Sequence, residues 1–149
     1  MRLIGVACAG FLIAVLWMDL VFDSQVLSHR GSDELPEPVL ASIAGYYHRA
    51  TTTSRPMSHL IAVVMAILLG SLAFGFVRDD PQVWLTIVAA ALAGIPILLA
   101  AARTVRNAVR LGKRVDTAAG QSRLARSIFA DHVLCLLCMS AFLAVWLVG

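Results

Sequence analysis

Few residues of this chain carry charge. Asp, Glu, Lys and Arg make up 14% of its 149 residues while 60% are apolar, against roughly 25% and 45–50% in soluble domains. With a mean hydropathy of +0.84, an ordinary water-soluble fold is excluded. Cysteine is sparse as well: Cys8, Cys135 and Cys138 leave an odd count, none stands in a polar loop, and no secreted disulfide framework is implied. The net charge of +3 does not indicate a nucleic-acid partner, because the basic residues flank apolar runs and form no aromatic-interleaved motif. There is no internal repeat of the kind that marks inverted-repeat transporters. No two histidines have the HxxxH spacing of a helix-borne zinc site. The stretch 5–8 (Gly-Val-Ala-Cys) falls short of a lipoprotein cleavage site, since only seven residues precede Cys8 and Gly5 stands where a branched residue is usual.

What is present in quantity is long apolar sequence. A membrane-spanning helix needs about 20 mostly apolar residues at ~1.5 Å rise each, and four segments qualify: 3–22, interrupted only by Asp19; 60–77, uninterrupted; 83–102, with Pro96 as a kink; and 128–148, with Asp131 and His132 near its start. Each is expected to be helical, because lipid offers the backbone no other partners. The expected fold is all-α: residues 1–149 form a single integral membrane four-helix bundle, and the length leaves no room for a separate soluble module.

Lys and Arg prefer cytoplasmic loops. The first and third loops hold ten of them (Arg30, Arg49, Arg55, Arg103, Arg106, Arg110, Lys113, Arg114, Arg123 and Arg126), against Arg2 and Arg78 on the opposite side. This places both termini outside and both long loops in the cytoplasm, as expected for a multi-pass protein of the bacterial inner membrane. A cleaved signal peptide would translocate those loops and is rejected by the same count.

Local signals refine the spans. Asp80-Pro81 has the chemistry of a helix N-cap followed by proline at the first helical position, and Gly112 that of a C-terminal stop. Helix three would then run over 81–111, about 45 Å long. Helix four would start early, near Gln121 or Ser122, so that helices three and four extend into the cytoplasm as a hairpin. In the first loop, residues 31–38 are turn chemistry, after which Leu40, Ile43, Ala44 and Tyr47 recur at helical spacing. This predicts a short amphipathic helix at the cytoplasmic interface between helices one and two, where tyrosines are favoured.

That topology gathers polar residues at one depth. Asp19, Asp23, His48, Arg49, His59, Arg103, Arg106, Asn107, Arg110, Arg123, Arg126, Asp131 and His132 are all expected at the cytoplasmic ends of the helices. An ionisable group within a span costs roughly 2.5–3.5 kcal/mol on insertion scales, so such groups face the bundle interior and pair. Asp19 and Asp23 are four apart and share a helix face, as do Ser127, Asp131, Cys135 and Cys138. The stripe of Arg103, Arg106 and Arg110 supplies the natural partners. Asp19 is the leading functional candidate and Asp131 the second. The competing reading makes these ion pairs that only position helices. For His48, His59 and His132, interfacial or hydrogen-bonding roles outweigh metal ligation, and most of the arginines read as topology determinants and headgroup contacts. No catalytic residue, metal or cofactor is assigned.

Small residues (Ala66 with Gly70, Ser71 with Gly75, Ala89–Ala91 with Ala93 and Gly94) are expected to bring helices two and three close together, and the same surfaces would support a homo-oligomer. Cys135-Leu136-Leu137-Cys138 resembles the redox motif of vitamin K epoxide reductases and related four-helix quinone-linked oxidoreductases. Those enzymes pair it with loop cysteines, which this first loop does not have, and packing by small, weakly polar residues is the competing reading.

The layout as a whole resembles small four-helix bacterial membrane proteins of the anthrone-oxygenase-like group. The features that carry this are helix one ending in the acidic stretch 16–23 (Leu-Trp-Met-Asp-Leu-Val-Phe-Asp), a proline-bearing loop, a short helix with Tyr46-Tyr47-His48, and three further spans. The resemblance covers most of the chain as architecture and implies oxidation of hydrophobic, polycyclic substrates. Three functions compete. The first is a polar intramembrane site that binds or transports an ion, a lipid headgroup or a small amphipathic solute. The second is an enzyme acting on a lipophilic substrate with a histidine as acid-base, and the third is a structural or regulatory subunit.

Overall fold

A chain this apolar must satisfy its own amides, and it does so almost wholly in helices. The computed structural model describes residues 2–77 and 83–148; it is 91% helical over them, and no strand occurs among the described residues. In chain order the elements are α1 (Arg2–Asp23), which runs on into a 3-10 turn (Ser24–His29); α2 (Glu37–Thr52); α3 (Arg55–Val77); α4 (Val83–Leu99), a π-helical turn (Ala100–Thr104) and α5 (Val105–Lys113) in one continuous rod; and α6 (Ala118–Val148). Four stretches are long and apolar enough to cross a membrane: Arg2–His29, Pro56–Phe76, Val83–Lys113 and Ala118–Val148.

The element ends have local causes. After Asp23 the first rod tightens, and the Ser24 hydroxyl and the Gln25 amide donate to the carbonyls of Val21 and Phe22 that the ending helix leaves open. Pro36 caps α2 and Pro38 sits in its first turn, where a missing N–H costs nothing. The expected Asp80-Pro81 start of the third rod lies outside the described residues. At its other end Gly112 is not the stop. The helix continues to Lys113, and Arg114 takes the left-handed conformation (φ 52°), its side chain tied to Glu37 and Gln121. Gly112 serves a crossing instead: a Cβ there would come 2.8 Å from the backbone nitrogen of His48 and 3.1 Å from the carbonyl carbon of Tyr47. Only glycine lets α2 lie this close on α5.

The core has two parts. At one end Leu40, Ile43, Ala44 and Tyr47 of α2 pack with Ala108 and Leu111 of α5 and with Ala125 and Ile128 of α6. The apolar stripe of α2 is therefore covered by protein. At the other end Ala9 and Leu12 of α1, Leu68 and Leu72 of α3, Ala89 and Ala93 of α4, and Met139 and Phe142 of α6 form the second cluster. Helix α6 is central and packs most extensively on α1 and α4. Of the small residues expected to bring helices two and three close together, Gly75 of α3 does face α4, with Thr86 3.7 Å from its would-be Cβ, and Ala89 and Ala93 of α4 pack with Leu68 and Leu72 of α3. Nothing lies within 4 Å of where a Cβ would sit on Gly70 or Gly94, whereas Gly5 makes room for the Trp146 ring, 2.8 Å from its would-be Cβ. Helix α3 is the least embedded, with Leu68 and Leu72 its only fully buried apolar side chains among the described residues.

Candidate functional site

Where the two core clusters meet, α1, α2 and α6 bring their polar side chains together. Asp19 and Asp23 occupy one face of α1, Tyr46 and Tyr47 come from α2, and His132 comes from α6. Asp23 is fully buried. It accepts the Tyr47 hydroxyl at 2.7 and 2.9 Å on its two oxygens, and His132 Nδ1 lies 2.7 Å from Oδ2. A carboxylate only accepts, so Nδ1 carries the proton and Asp23 fixes the ring orientation. Asp19 accepts the Tyr46 hydroxyl on Oδ1 at 2.5 Å, while its Oδ2 lies 3.8 Å from His132 Nε2, too far for a hydrogen bond. The Tyr46 ring stacks on Phe22 with centroids 4.1 Å apart, which holds its hydroxyl toward Asp19. Burial, reinforced by the neighbouring carboxylates, pushes both tyrosine hydroxyls well above their ordinary range. Tyr46 and Tyr47 thus act as proton-bearing donors.

Asp131, one residue before His132, forms a separate and closed arrangement. It is 1% exposed, engages Arg103 through two hydrogen bonds and accepts the Thr104 hydroxyl at 2.9 Å. Thr104 reaches it from the π-helical turn, whose Val105 N–H bonds back five residues to the Ala100 carbonyl. Pro96, one turn earlier, removes a backbone donor from the same rod, and its carbonyl accepts the Cys135 thiol at 3.9 Å. A single-turn π-bulge of this kind re-aims side chains within a helix. Here it turns Thr104 inward while Arg103 reaches Asp131 from an exposed position (54%).

Beside the Asp19–His132 gap lies a cavity of about 260 Å³. It is lined mostly by apolar side chains (among them Leu12, Leu16, Ile61, Met65 and Met139), by Pro96, Ala100 and Thr104 of the third rod, and by the polar residues Asp19, Tyr47, Thr51, Ser58 and His132. No Lys or Arg among the described residues lines it.

The sequence-based candidates divide accordingly. Asp19, Asp23 and His132 come together, with Asp131 and Arg103 alongside. His48, Arg49 and His59 are exposed and take no part in the cluster; Tyr47 faces inward on α2, so the next residue, about 100° further round, faces out. Arg106 donates to the Ala102 carbonyl of its own rod, Asn107 meets Ser127 at 3.4 Å, and Arg110 pairs with Asp116 at 2.6 Å. Among the described residues, only Arg103 of the arginine stripe reaches one of the helix-borne candidate aspartates; Asp19 and Asp23 are served by tyrosine and histidine. Arg126 donates to the carbonyls of His29, Ser32 and Asp33, fastening the first loop. The Tyr46, Tyr47 and Thr104 hydroxyls belong to the site but were not expected there. The inward phase of Tyr47 was readable, and a buried tyrosine hydroxyl needs a partner; buried aspartates four residues apart on the preceding helix were the available acceptors. Among the described residues no group of three or more His, Cys, Asp or Glu is placed to hold a metal ion. Cys8, Cys135 and Cys138 are free thiols.

No family model matches the chain, and comparison with curated proteins and with solved structures found no match.

Proposed function

We propose that the chain is a multi-pass membrane protein that binds a small amphipathic solute in the cavity between its helices. In this reading it is a four-helix bundle with α2 at the cytoplasmic interface, helices three and four extending into the cytoplasm, both termini outside, and the polar end of the cavity on the cytoplasmic side. The distribution of ten Lys and Arg against two supports the orientation, and the resemblance to anthrone-oxygenase-like proteins supports a bacterial inner membrane. The observation that carries the binding reading is the pairing of a largely apolar cavity with a polar end at Asp19 Oδ2 and His132 Nε2, which lie 3.8 Å apart and have no hydrogen-bond partner among the described residues. A purely structural charge layer leaves no such groups, as the closed Arg103–Asp131–Thr104 arrangement illustrates. Octan-1-ol is a suitable small probe, measured by equilibrium dialysis against the protein in zwitterionic nanodiscs. It is expected to bind the parent saturably and to lose that binding in Ala100→Phe, which puts a ring into the cavity. Equal uptake by both proteins and by empty discs would overturn the reading.

A second reading has its own support. Asp23 on Nδ1 leaves His132 Nε2 facing the cavity in the tautomer of a general base, an arrangement suited to an enzyme acting on a lipophilic substrate; the oxygenase-like activity implied by the resemblance belongs here. It predicts that a His132→Gln strain differs from the parent in its lipid-soluble metabolites, and identical profiles would rule it out.

A further inference from the structure

The cavity described above has a sign and a donor–acceptor pattern. We infer that it selects a lipophilic amine, bound as the ammonium with its nitrogen between Asp19 Oδ2 and His132 Nε2. This rests on the solute-binding reading and specifies the class of solute.

The charge balance comes first. Asp19 and Asp23 receive only donors: Tyr46 on one, Tyr47 and His132 Nδ1 on the other. These are the partners of ionised carboxylates. The Arg103 guanidinium is engaged by Asp131 and does not border the cavity. With His132 neutral the site carries two negative charges, and with His132 protonated it carries one. In either state the cavity end is negative, with no basic side chain among the described residues lining it. In an apolar surrounding a like-charged headgroup is expelled and a cation is held.

The hydrogen-bond pattern narrows the class further. With Nδ1–H directed at Asp23, the neutral imidazole presents a lone pair at Nε2, and Asp19 Oδ2 is also an acceptor. His132 is 8% exposed, so Nε2 has little access to solvent, and at 3.8 Å the two acceptors cannot satisfy each other. With His132 neutral, a group placed there must donate twice. An ammonium nitrogen about 2.9 Å from each atom fits a 3.8 Å separation, and a primary or secondary ammonium has the two protons required. A quaternary ammonium has none, a carboxylate repels, and a neutral alcohol donates once. The apolar part of the ligand then extends along Leu12, Leu16, Ile61, Met65 and Met139.

The test compares three probes of one chain length, octylamine, octan-1-ol and octanoate, by equilibrium dialysis against the parent protein in zwitterionic nanodiscs, with empty discs as the reference for partitioning. Charge-assisted hydrogen bonds are stronger than neutral ones, so octylamine is expected to bind at least about tenfold more tightly than octan-1-ol, and octanoate not at all above the empty discs. Asp19→Asn, whose amide oxygen can still accept the Tyr46 hydroxyl, should bring octylamine down to the level of octan-1-ol. Octan-1-ol or octanoate binding the parent as tightly as octylamine would overturn the amine assignment while leaving the cavity reading intact. So would full octylamine affinity in Asp19→Asn. If no probe exceeds the empty discs, the underlying solute-binding reading fails. The comparison on the parent needs no variant, so the inference stays exposed even if Asp19→Asn does not fold.

Discussion

Asp23 holds both Tyr47 and His132, and a fully buried carboxylate is tolerable only with donors in place. Tyr47→Phe removes one of them and is expected to cost about 1–3 kcal/mol, read as a lower unfolding temperature; an unchanged temperature would show that Asp23 is satisfied otherwise. The chain has only two tyrosines, both in this cluster, so a spectrophotometric titration reports on it alone. Both hydroxyls are raised by burial and by the nearby carboxylates. The folded protein should therefore show no tyrosinate absorbance through the range around pH 10 where a free tyrosine ionises. Since the folded values lie above the unfolded one, the stability they contribute is present below about pH 10 and is lost as pH rises beyond it. Tyrosinate appearing near pH 10 without unfolding would refute the hydrogen-bonded geometry. For the closed pair, Asp131→Asn and Arg103→Gln should each destabilise, and the double variant should lose less than the two together; simple additivity would mean that the pair does not interact. Asp19, Asp23, Asp131 and His132 were readable as candidates because a charge in an apolar span must find company. Their partners were harder to read, since tyrosine is common at membrane interfaces and arginine is the habitual guess for a buried aspartate.

At the scale of elements, the crossing of α2 and α5 at Gly112 is the tightest geometric requirement. Gly112→Ala pushes a methyl into the backbone at Tyr47 and His48. It should destabilise by about 1–3 kcal/mol, the usual cost of overpacking, and weaken octan-1-ol binding by displacing Tyr47. Parent-like stability and binding would mean that α2 can slide aside freely. The spans themselves were legible from apolar length, and the third rod's extension was expected from its end signals, although Gly112, read there as the stop, lies inside the helix that runs on to Lys113. The role of Gly112 was not legible, because the same residue marks a helix end in one context and a helix crossing in another, and sequence alone does not show which backbone passes by. The π-helical turn was equally hidden. Pro96 announced a distortion of the rod, but the place where the extra residue is absorbed depends on Thr104 and Arg103 finding Asp131 on another helix.

At the scale of the whole molecule, orientation is the premise on which the sidedness of the site depends. Reporter fusions near Lys113 should score cytoplasmic and fusions at either terminus external; the reverse result would turn the polar end of the cavity outward. One asymmetry of the assembly bears on every such measurement. Helix α3 supplies Ile61 and Met65 to the cavity, yet it is anchored to the protein chiefly by Leu68 and Leu72 further along its length, with Leu60, Val63, Ile67 and Leu69 turned outward. In the proposed membrane setting, hydrocarbon chains would press on that outer surface and help to close one wall. Thinning the bilayer or substituting micelles should loosen that wall before it disturbs the hydrogen-bonded aspartates. On that reading the surrounding lipid becomes a component of the proposed binding site.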